Sequence, residues 1–471
     1  MSEAIGVVLA AGKGTRMKST TPKVLHRIAG RPMIHWAVDA VLDAGASHAV
    51  VVVGYAREAV EAALRARFGD RVVFAVQDDP RGTGHAVRCA VEAPDSGLAD
   101  HDGPVLITMG DCPCVRPETL RALLEATGPR RFGMMSSRLD DPAGYGRLLR
   151  DAEGSVVAIR EHKDCSAEER AVNDVNPGLY VVRGDFLRQA LGELRDDNAQ
   201  GELYLTDLAS AAAAAALAPE DRVVDLPGDL GELLGVNDRH QLATVRGVLQ
   251  ARINEALGRG GVGIVDPAVT YIDADCEVAP DATLAPGVHL RGRCRIGPGA
   301  MIDVGCVLDN VDVAAGAYLK PYTVASESVI GPEAKVGPFA HLRPGSELGP
   351  KVKVGNFCET KKTRIGEGSS IGHLAYVGDG EIGEGVNVGA GVIFCNYDGY
   401  RKHVTTLEDG AFIGSDSQLV APVTVGKGAY VASGSTVTRD VPPDGLALSR
   451  AKQVNKEGYA SRLKARLKPK G

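Results

Sequence analysis

Through the second half of the chain, aliphatic residues return at every sixth position. They stand at Val278, Leu284, Leu290, Ile296, Ile302 and Leu308, and again at Ile330, Val336, Leu342, Leu348 and Val354. After one-residue slips the series resumes at Ile365, Ile371 and Val377, at Ile382 and Val388, and at Ile413, Leu419, Val425, Val431 and Val437, which makes 21 positions in all. An amphipathic helix would space its buried residues by three or four and a simple strand by two, so neither accounts for six. A six-residue period marks a parallel β-helix, in which each short strand turns one aliphatic side chain inward and glycine allows the corner. Glycine follows the inward residue in Ile296-Gly297, Ile330-Gly331, Val336-Gly337, Ile371-Gly372, Val388-Gly389 and Val425-Gly426. At these corners an unusual backbone angle is expected. The longest break, between Val388 and Ile413, contains the segment from Phe394 to His403, too polar for a stacked coil. It should project as a loop, and loops on rigid scaffolds are where function gathers.

Glycine content divides the chain. Of 58 glycines, 27 fall in residues 1–260 and 29 in residues 261–450, so the excess over the usual ~7% is concentrated in the repeats. At 471 residues the chain exceeds one ordinary core. Its first half alternates short apolar runs (Ile5–Leu9, Ala49–Val53, Val72–Val76, Val105–Met109, Leu179–Val182) with helical patterns such as Met33–Ala44 and Glu58–Arg67. That alternation predicts a mostly parallel sheet with helices on both faces and ligands at the carboxyl ends of the strands. The alanine run 211–216 reads as a packed helix, with Leu205, Leu208 and Leu217 in phase. Between the halves, Asp238 is a candidate N-cap for a connecting helix carrying Leu242, Val245, Val248, Leu249, Ile253 and Leu257, with Gly258 as its stop. The expected division is residues 1–236, a linker helix over 237–260, and residues 261–471.

A net charge of −7 supplies no basic field, which argues against nucleic acid and membrane surfaces as partners. Anionic ligands would have to be held by local clusters of Lys and Arg. No apolar run approaches the ~20 residues of a membrane span, and the first nine residues carry Glu3 and no basic region. A cytoplasmic protein is expected. Nine cysteines, an odd number at spacings that fit neither disulfide framework nor zinc site, agree with a reducing compartment.

Leu9-Ala-Ala-Gly-Lys-Gly-Thr-Arg-Met17 fails both common phosphate motifs. Five residues separate Gly6 from Gly12 and Lys13 is followed by Gly14, so it is no Walker loop; Met17 replaces the third glycine of the dinucleotide fingerprint. What remains is physical: glycines let backbone N–H groups approach a polyphosphate, and Arg16 and Lys23 add mobile positive charge. Taken alone, such a turn is structural as often as functional. The wider string, followed by Pro22-Lys23, resembles the sugar-nucleotide pyrophosphorylases. That resemblance implies a nucleoside triphosphate over Leu9, Ala10, Ala11, Gly12 and Lys23, with Gln77, Gly82 and Thr83 reading the base. Met109, Gly110 and Asp111 close an apolar strand with a carboxylate placed to hold Mg²⁺ against phosphate oxygens.

The resemblance is closest to the bifunctional bacterial family of UDP-N-acetylglucosamine pyrophosphorylases that are also glucosamine-1-phosphate N-acetyltransferases, and it covers essentially the whole chain. Gly144-Tyr-Gly-Arg147, Glu161-His-Lys-Asp164, Asn176-Pro-Gly178, the 201–207 segment and Gly235-Val-Asn-Asp238 carry it. The amino sugar is then implied at Gly146, Glu161, Asn176 and Asn237, with Asn237 as second metal ligand; Pro177 replaces the family's usual Thr. The implied first reaction is in-line attack by N-acetylglucosamine 1-phosphate on the α-phosphorus of UTP, with Arg16 and Lys23 steadying the triphosphate.

The repeats resemble the hexapeptide-repeat acyltransferases, left-handed β-helices with three hexads per coil, which implies about seven regular coils. The implied fold is therefore an α/β nucleotidyltransferase domain with a Rossmann-like mixed sheet, followed by a left-handed parallel β-helix. In this family a histidine at the position of His373 is the general base for acetyl transfer from acetyl-CoA to glucosamine 1-phosphate, and histidine titrates in the range the proton transfer requires. Arg343, Lys361, Tyr376, Asn387 and Lys402 match the sugar-phosphate contacts. Ala390, Asn396, Tyr397, Ser415, Ser433 and Arg450 match the acetyl-CoA contacts, with Ser433 in place of the usual Ala. Glu359 is a candidate to orient His373. The basic tail (Lys464, Arg466, Lys468, Lys470) reads as a solvated end, and the resemblance implies a homotrimer through the flat faces of the β-helix. Two alternatives remain: a pyrophosphorylase whose β-helix only assembles oligomers, and a non-catalytic subunit like the translation-initiation exchange factors. His373 and the Asn396 loop weigh against the first; Arg16, Lys23 and Asp111 weigh against the second.

Overall fold

The computed structural model describes residues 3–218 and 221–468, and the chain divides into two compact units, Met1–Arg252 and Ile253–Gly471. In the first, a mixed sheet runs in the order Val72–Val76, Ala46–Val53, Ala4–Leu9, Pro104–Met109, Tyr180–Arg183, Phe132–Arg138, Asp174–Asn176, Gly146–Arg150 and Val156–Arg160, with Val224–Pro227 pairing Phe132–Arg138. The first four strands are mutually parallel, and Tyr180–Arg183 lies antiparallel to both of its neighbours. These strands are near-continuous apolar runs because both faces are covered. Val7, Val50 and Ile107 enter one cluster, while Val8, Val51 and Leu106 enter the other, as the two-residue pleat demands.

Strand order decides where a ligand can sit. From Ala4–Leu9 the chain steps outward through helix Met33–Asp43 to Ala46–Val53, and through helix Arg57–Phe68 to Val72–Val76. Helix Thr83–Glu92 then precedes a return to the far side of the first strand at Pro104–Met109. The direction of winding reverses there, so a crevice opens beyond the carboxyl ends of Ala4–Leu9 and Pro104–Met109.

Three sequence expectations in this unit change. The sheet is not mostly parallel: five of its nine strand pairings are antiparallel, all of them from Tyr180–Arg183 outward, where loops replace α-helical crossovers. The alanine-rich helix spans Asp207–Ala214 and buries Leu208, Ala209 and Ala212, but Leu217 lies beyond its end and is 91% exposed. The connecting helix spans Arg239–Arg259, with Asp238 Oδ1 accepting from the Gln241 N–H (2.8 Å) and Gln241 Oε1 from the Asn237 N–H (2.7 Å). That reciprocal pair satisfies two amide groups near the helix start. Gly258 lies inside the helix rather than ending it. The stop is Gly261 (φ 95°), which lets the Val262 N–H reach Leu257 O at 3.1 Å. Leu242, Val245 and Leu249 pack with Met17, Ile28 and Met33 in the first unit, whereas Ile253 and Leu257 pack on the core of the second.

The second unit is a parallel β-helix whose three faces stack eleven, ten and nine strands of two or three residues. That is about ten coils, three more than the aliphatic count implies. The additional inward positions include Val313, Leu319, Ala325 and Thr360, all buried. Five-residue steps, and Ala or Thr in place of a branched aliphatic, hide them from a strict hexad. The break after Val388 also shrinks. Phe394 and Leu407 are buried in strands Ile393–Cys395 and Thr405–Leu407, so the loop reduces to residues 396–404, of which Asn396 is itself buried. Gly380 faces Phe394; a Cβ there would come within 2.9 Å of the ring, so the small residue makes space for the large one.

The corner glycines are required for a reason other than the expected one. Gly297, Gly331, Gly372, Gly389 and Gly426 have ordinary φ; among the six only Gly337, at 96°, is left-handed. A Cβ at Gly297, Gly331, Gly389 or Gly426 would instead fall 2.5–2.8 Å from backbone atoms of the next coil. Close stacking, and not backbone angle, excludes side chains there. The tail forms a fully exposed helix, Tyr459–Leu467; Lys464 and Arg466 lie on it and Lys468 just after it, and Lys470 lies outside the described residues.

Candidate active sites

At the switch point a cleft of ≈ 250 Å³ is lined by Leu9, Ala10, Ala11, Gly12, Lys23, Gln77, Gly82, Thr83, Met109 and Asp111, together with Val24, Pro80, Ala86 and Glu202. Gly110 lies just beneath this lining. Its N–H is held by Leu9 O at 2.9 Å, and a Cβ would fall 2.5 Å from Ile34 Cδ1 and 3.2 Å from Ala10 Cβ. Gln77 is buried: its Nε2 donates to Gly82 O (3.1 Å) and lies 3.0 Å from His85 Nδ1, which ties the segment expected to read a base to the start of helix Thr83–Glu92. Gly82 and Gly84 are there because Leu203 O passes within 2.6 and 2.9 Å of their would-be Cβ atoms.

Lys23 Nζ forms an ion pair with Asp111 and reaches Asn237 Oδ1 at 3.5 Å, while Arg16 donates to that same Oδ1 at 2.8 Å. The structure thus brings together four residues read from three widely separated segments. Oxygens of Asp111 and Asn237 converge on a single cation, the Lys23 ammonium. One carboxylate and one amide oxygen form a hard donor set of the kind Mg²⁺ takes when it keeps several waters and phosphate oxygens. Among the described residues, no cluster of three or more His, Cys, Asp or Glu could hold a metal without such help.

Gly146 and Asn176 are register partners on neighbouring strands. Asn176 is buried with its amide engaged: Nδ2 donates to Tyr180 Oη (2.6 Å) and Oδ1 accepts from the Gly178 N–H (3.1 Å). Glu161 Oε1 accepts from Thr206 Oγ1 at 3.1 Å, and burial pushes the Glu161 carboxyl above its usual range against that bond. Thr206 and Tyr180 position these groups and were given no role from the sequence, although Thr206 lies in the 201–207 segment and Tyr180 in the apolar run Leu179–Val182.

On the β-helix, consecutive coils stack equivalent residues, so functional positions fall into columns. Asn356, His373, Ala390, Ser415 and Ser433 follow the glycines or alanine of one corner: Leu374 N–H donates to Asn356 O (3.1 Å), Gly391 N–H to His373 O (2.9 Å), Asp416 N–H to Ala390 O (2.7 Å) and Gly434 N–H to Ser415 O (2.8 Å). Arg450 Nη1 donates to Ser433 O at 2.8 Å. A neighbouring face carries Arg343, Glu359, Lys361 and Tyr376, and Asn387 lies on the strand before the corner. Arg343 pairs with Glu359 (2.7 Å), and the charges of Lys402 and Arg343 hold the Lys361 ammonium below its usual range. Three converging cations suit a phosphate. Tyr376 Oη and Asn396 Nδ2 meet over Gly378, whose missing Cβ leaves them room; Asn396 Nδ2 also donates to Asp379 Oδ2 at 2.5 Å.

Glu359, expected as the partner of His373, is taken by Arg343. Asn356 Oδ1 instead meets His373 Nδ1. Asn356 escaped the sequence reading; its signal is its position 17 residues, one coil, before His373. The 396–404 loop is held by Asp398, which accepts from the N–H groups of Tyr400 (2.7 Å) and Arg401 (2.6 Å) and from His403 Nε2 (2.7 Å). These bonds hold its carboxyl well below the usual range. Tyr397 is exposed and bridges Lys402 across the loop.

Comparison with known proteins follows the same division. Residues 6–152 match the MobA-like NTP transferase domain, and residues 404–439 match the hexapeptide repeat of succinyl-transferase, the repeat of left-handed β-helices. The bifunctional protein GlmU of Sorangium cellulosum is 56% identical over 468 residues, 98% of this chain and 97% of that protein. The bifunctional GlmU proteins of Anaeromyxobacter sp. and Trichlorobacter lovleyi are 49% and 47% identical, over 99% and 98% of this chain and 94% and 98% of theirs. With likeness running through both units, the chain belongs to the GlmU family of bifunctional proteins.

Proposed function

We propose that the two sites catalyse successive reactions toward UDP-N-acetylglucosamine. At the β-helix, acetyl-CoA acetylates glucosamine 1-phosphate; at the α/β unit, the product attacks UTP and pyrophosphate leaves. The observation that carries this reading is the presence of two constellations, Arg16, Lys23, Asp111 and Asn237 at the switch point and, on the coils, the His373–Asn356 pair and the cations Arg343, Lys361 and Lys402.

In the acetyl transfer, the phosphate rests on Arg343, Lys361 and Lys402, with Tyr376 and Asn387 beside the sugar. His373 Nε2 takes a proton from the amine, the amine nitrogen bonds to the thioester carbonyl carbon, the C–S bond breaks, and the proton passes to the departing coenzyme A thiolate. Ala390, Asn396, Tyr397, Ser415, Ser433 and Arg450 hold acetyl-CoA. In the uridylyl transfer the nucleophile is already an anion, so no general base is needed and positioning supplies the rate. Leu9 to Gly12 line the triphosphate, the Ala10 N–H being held by Val52 O at 2.9 Å and those of Ala11 and Gly12 being offered to phosphate. Gln77, Gly82 and Thr83 hold the base, and Gly146, Glu161 and Asn176 hold the sugar. Arg16 and Lys23 move from the Asp111 and Asn237 oxygens to phosphate. Asp111 and Asn237 would hold Mg²⁺, which supplies charge neutralisation at the phosphates.

The working domains are residues 1–236 and 261–471, joined by the helix over 237–260, and the assembly is a homotrimer through the β-helix. All nine cysteines carry free thiols, which supports a cytoplasmic setting. No helix among the described residues is long and apolar enough to cross a membrane. One mixture of glucosamine 1-phosphate, acetyl-CoA, UTP and Mg²⁺, assayed together for free thiol and pyrophosphate, tests the reading. Both signals are expected, and the loss of either removes the corresponding half.

A further inference from the structure

We propose that Asn356 is a positioning residue for acetyl transfer, fixing the tautomer of His373 so that Nε2 presents a lone pair to the substrate amine. The inference rests on the reading of His373 as general base. Asn356 Oδ1 meets His373 Nδ1. An amide oxygen can only accept, so Nδ1 must carry the hydrogen, which leaves Nε2 unprotonated in the neutral ring. Glu359, three residues after Asn356, is spent on Arg343 at 2.7 Å and does not take this place.

The contact is built by the repeat. Asn356 and His373 directly follow Gly355 and Gly372, corner residues of consecutive coils, and a Cβ on Gly355 would overlap the Gly372 carbonyl. The two backbones therefore approach as closely as glycine permits immediately before the two side chains. The Leu374 N–H, donating to Asn356 O at 3.1 Å, pins the following residue to the coil below. Gly391 N–H, donating to His373 O at 2.9 Å, holds the histidine from the coil above. With both coils fixed, the side-chain pair loses little further entropy on meeting, and a neutral acceptor orients the ring without an added charge.

The test uses the full chain and compares Asn356→Ala with Asn356→Asp, which keeps an oxygen acceptor. Uridylyl transfer by the same preparations counts folded enzyme. For Asn356→Ala the acetyl-transfer kcat should fall by about 10–100-fold with both KM values within about twofold, a loss typical of removing the partner that orients a functional histidine. Asn356→Asp should recover most of that loss. In ¹⁵N NMR of histidine-labelled enzyme, the His373 signals should report Nδ1–H in the native protein and a mixed tautomer in Asn356→Ala. An unchanged kcat in Asn356→Ala, an Nε2–H tautomer in the native enzyme, or equal impairment of the two variants would overturn the assignment. Full acetyl transfer by His373→Ala would instead overturn the general-base reading beneath it, so the two failures are told apart.

Discussion

The two units build their sites by opposite means. In the α/β unit, Arg16 and Lys23 come from one segment and Asp111 and Asn237 from two distant ones, and they meet because the strand order reverses beside Ala4–Leu9. In the β-helix, Asn356 and His373 meet because they are one coil apart, and the same step carries the column on to Ala390, Ser415 and Ser433. A switch point gathers unlike residues once; a solenoid offers equivalent positions repeatedly, and chemistry selects a few. Damage should therefore spread differently in each.

The largest effect should come from separating the activities. Asp111→Ala is expected to lower uridylyl transfer by about 10³-fold or more while acetyl transfer stays near normal, and His373→Ala should cost acetyl transfer about 10²–10⁴-fold with uridylyl transfer intact. Steady-state assays of both reactions on each variant decide it, since equal loss of both would abolish the comparison. Next, Phe394→Ala should destabilise the β-helix by about 3–5 kcal/mol, by removing a buried ring beside the side-chain-free Gly380. Denaturant unfolding monitored on that unit measures the loss, and a value below about 1 kcal/mol would mean that coil is loosely packed.

Acid should then part the units. His35 is buried against the Ala63 carbonyl, and burial lowers its pKa from 6.5 to about 4. Between those values the unfolded chain binds a proton that the native chain refuses. Stability is therefore fully present above pH 6.5 and falls as pH drops through this window, by up to about 3 kcal/mol. Melting curves from pH 7 to 4 should show the α/β unit weakening, and His35→Gln should flatten that slope. The smallest contrast separates two kinds of glycine. At Gly331, a Cβ would lie 2.6 Å from the backbone of Gly349, and Ala should cost about 1–3 kcal/mol by forcing coils apart. At Gly368 (φ 69°), open space surrounds the would-be Cβ and Ala should cost only about 1 kcal/mol, from backbone strain. Thermal melts of the two variants order them, and a reversed order would restore backbone angle as the reason for the corners.

Much of this was legible in the residues. The hexad locates the β-helix because a stacked coil must bury one side chain per short strand whatever its neighbours do, and the apolar runs from Ile5 to Met109 locate the parallel strands by the same burial logic. The coils carrying Ala325 and Thr360 were not legible, because the stack tolerates a small or hydrogen-bonded inward residue once adjacent coils hold its place. The motif strings marked Arg16, Lys23, Asp111, Asn237 and His373, but not which atoms of these residues would meet, and they did not mark Asn356. Glu359 looked like the orienting group for His373 by chemistry alone, and Asn356 holds that place by position.

Sequence by itself determined which segments bury themselves and at what period, since hydrophobic burial acts locally and leaves its spacing in the chain. Only the tertiary structure decided which polar atoms face one another. The hand-off of Glu359 to Arg343, the Asn356 contact with His373 and the convergence of Asp111 and Asn237 on one cation each depend on registers between elements. A hydrogen bond weakens steeply with small errors of distance and angle, so such pairings are fixed only when both backbones are in place.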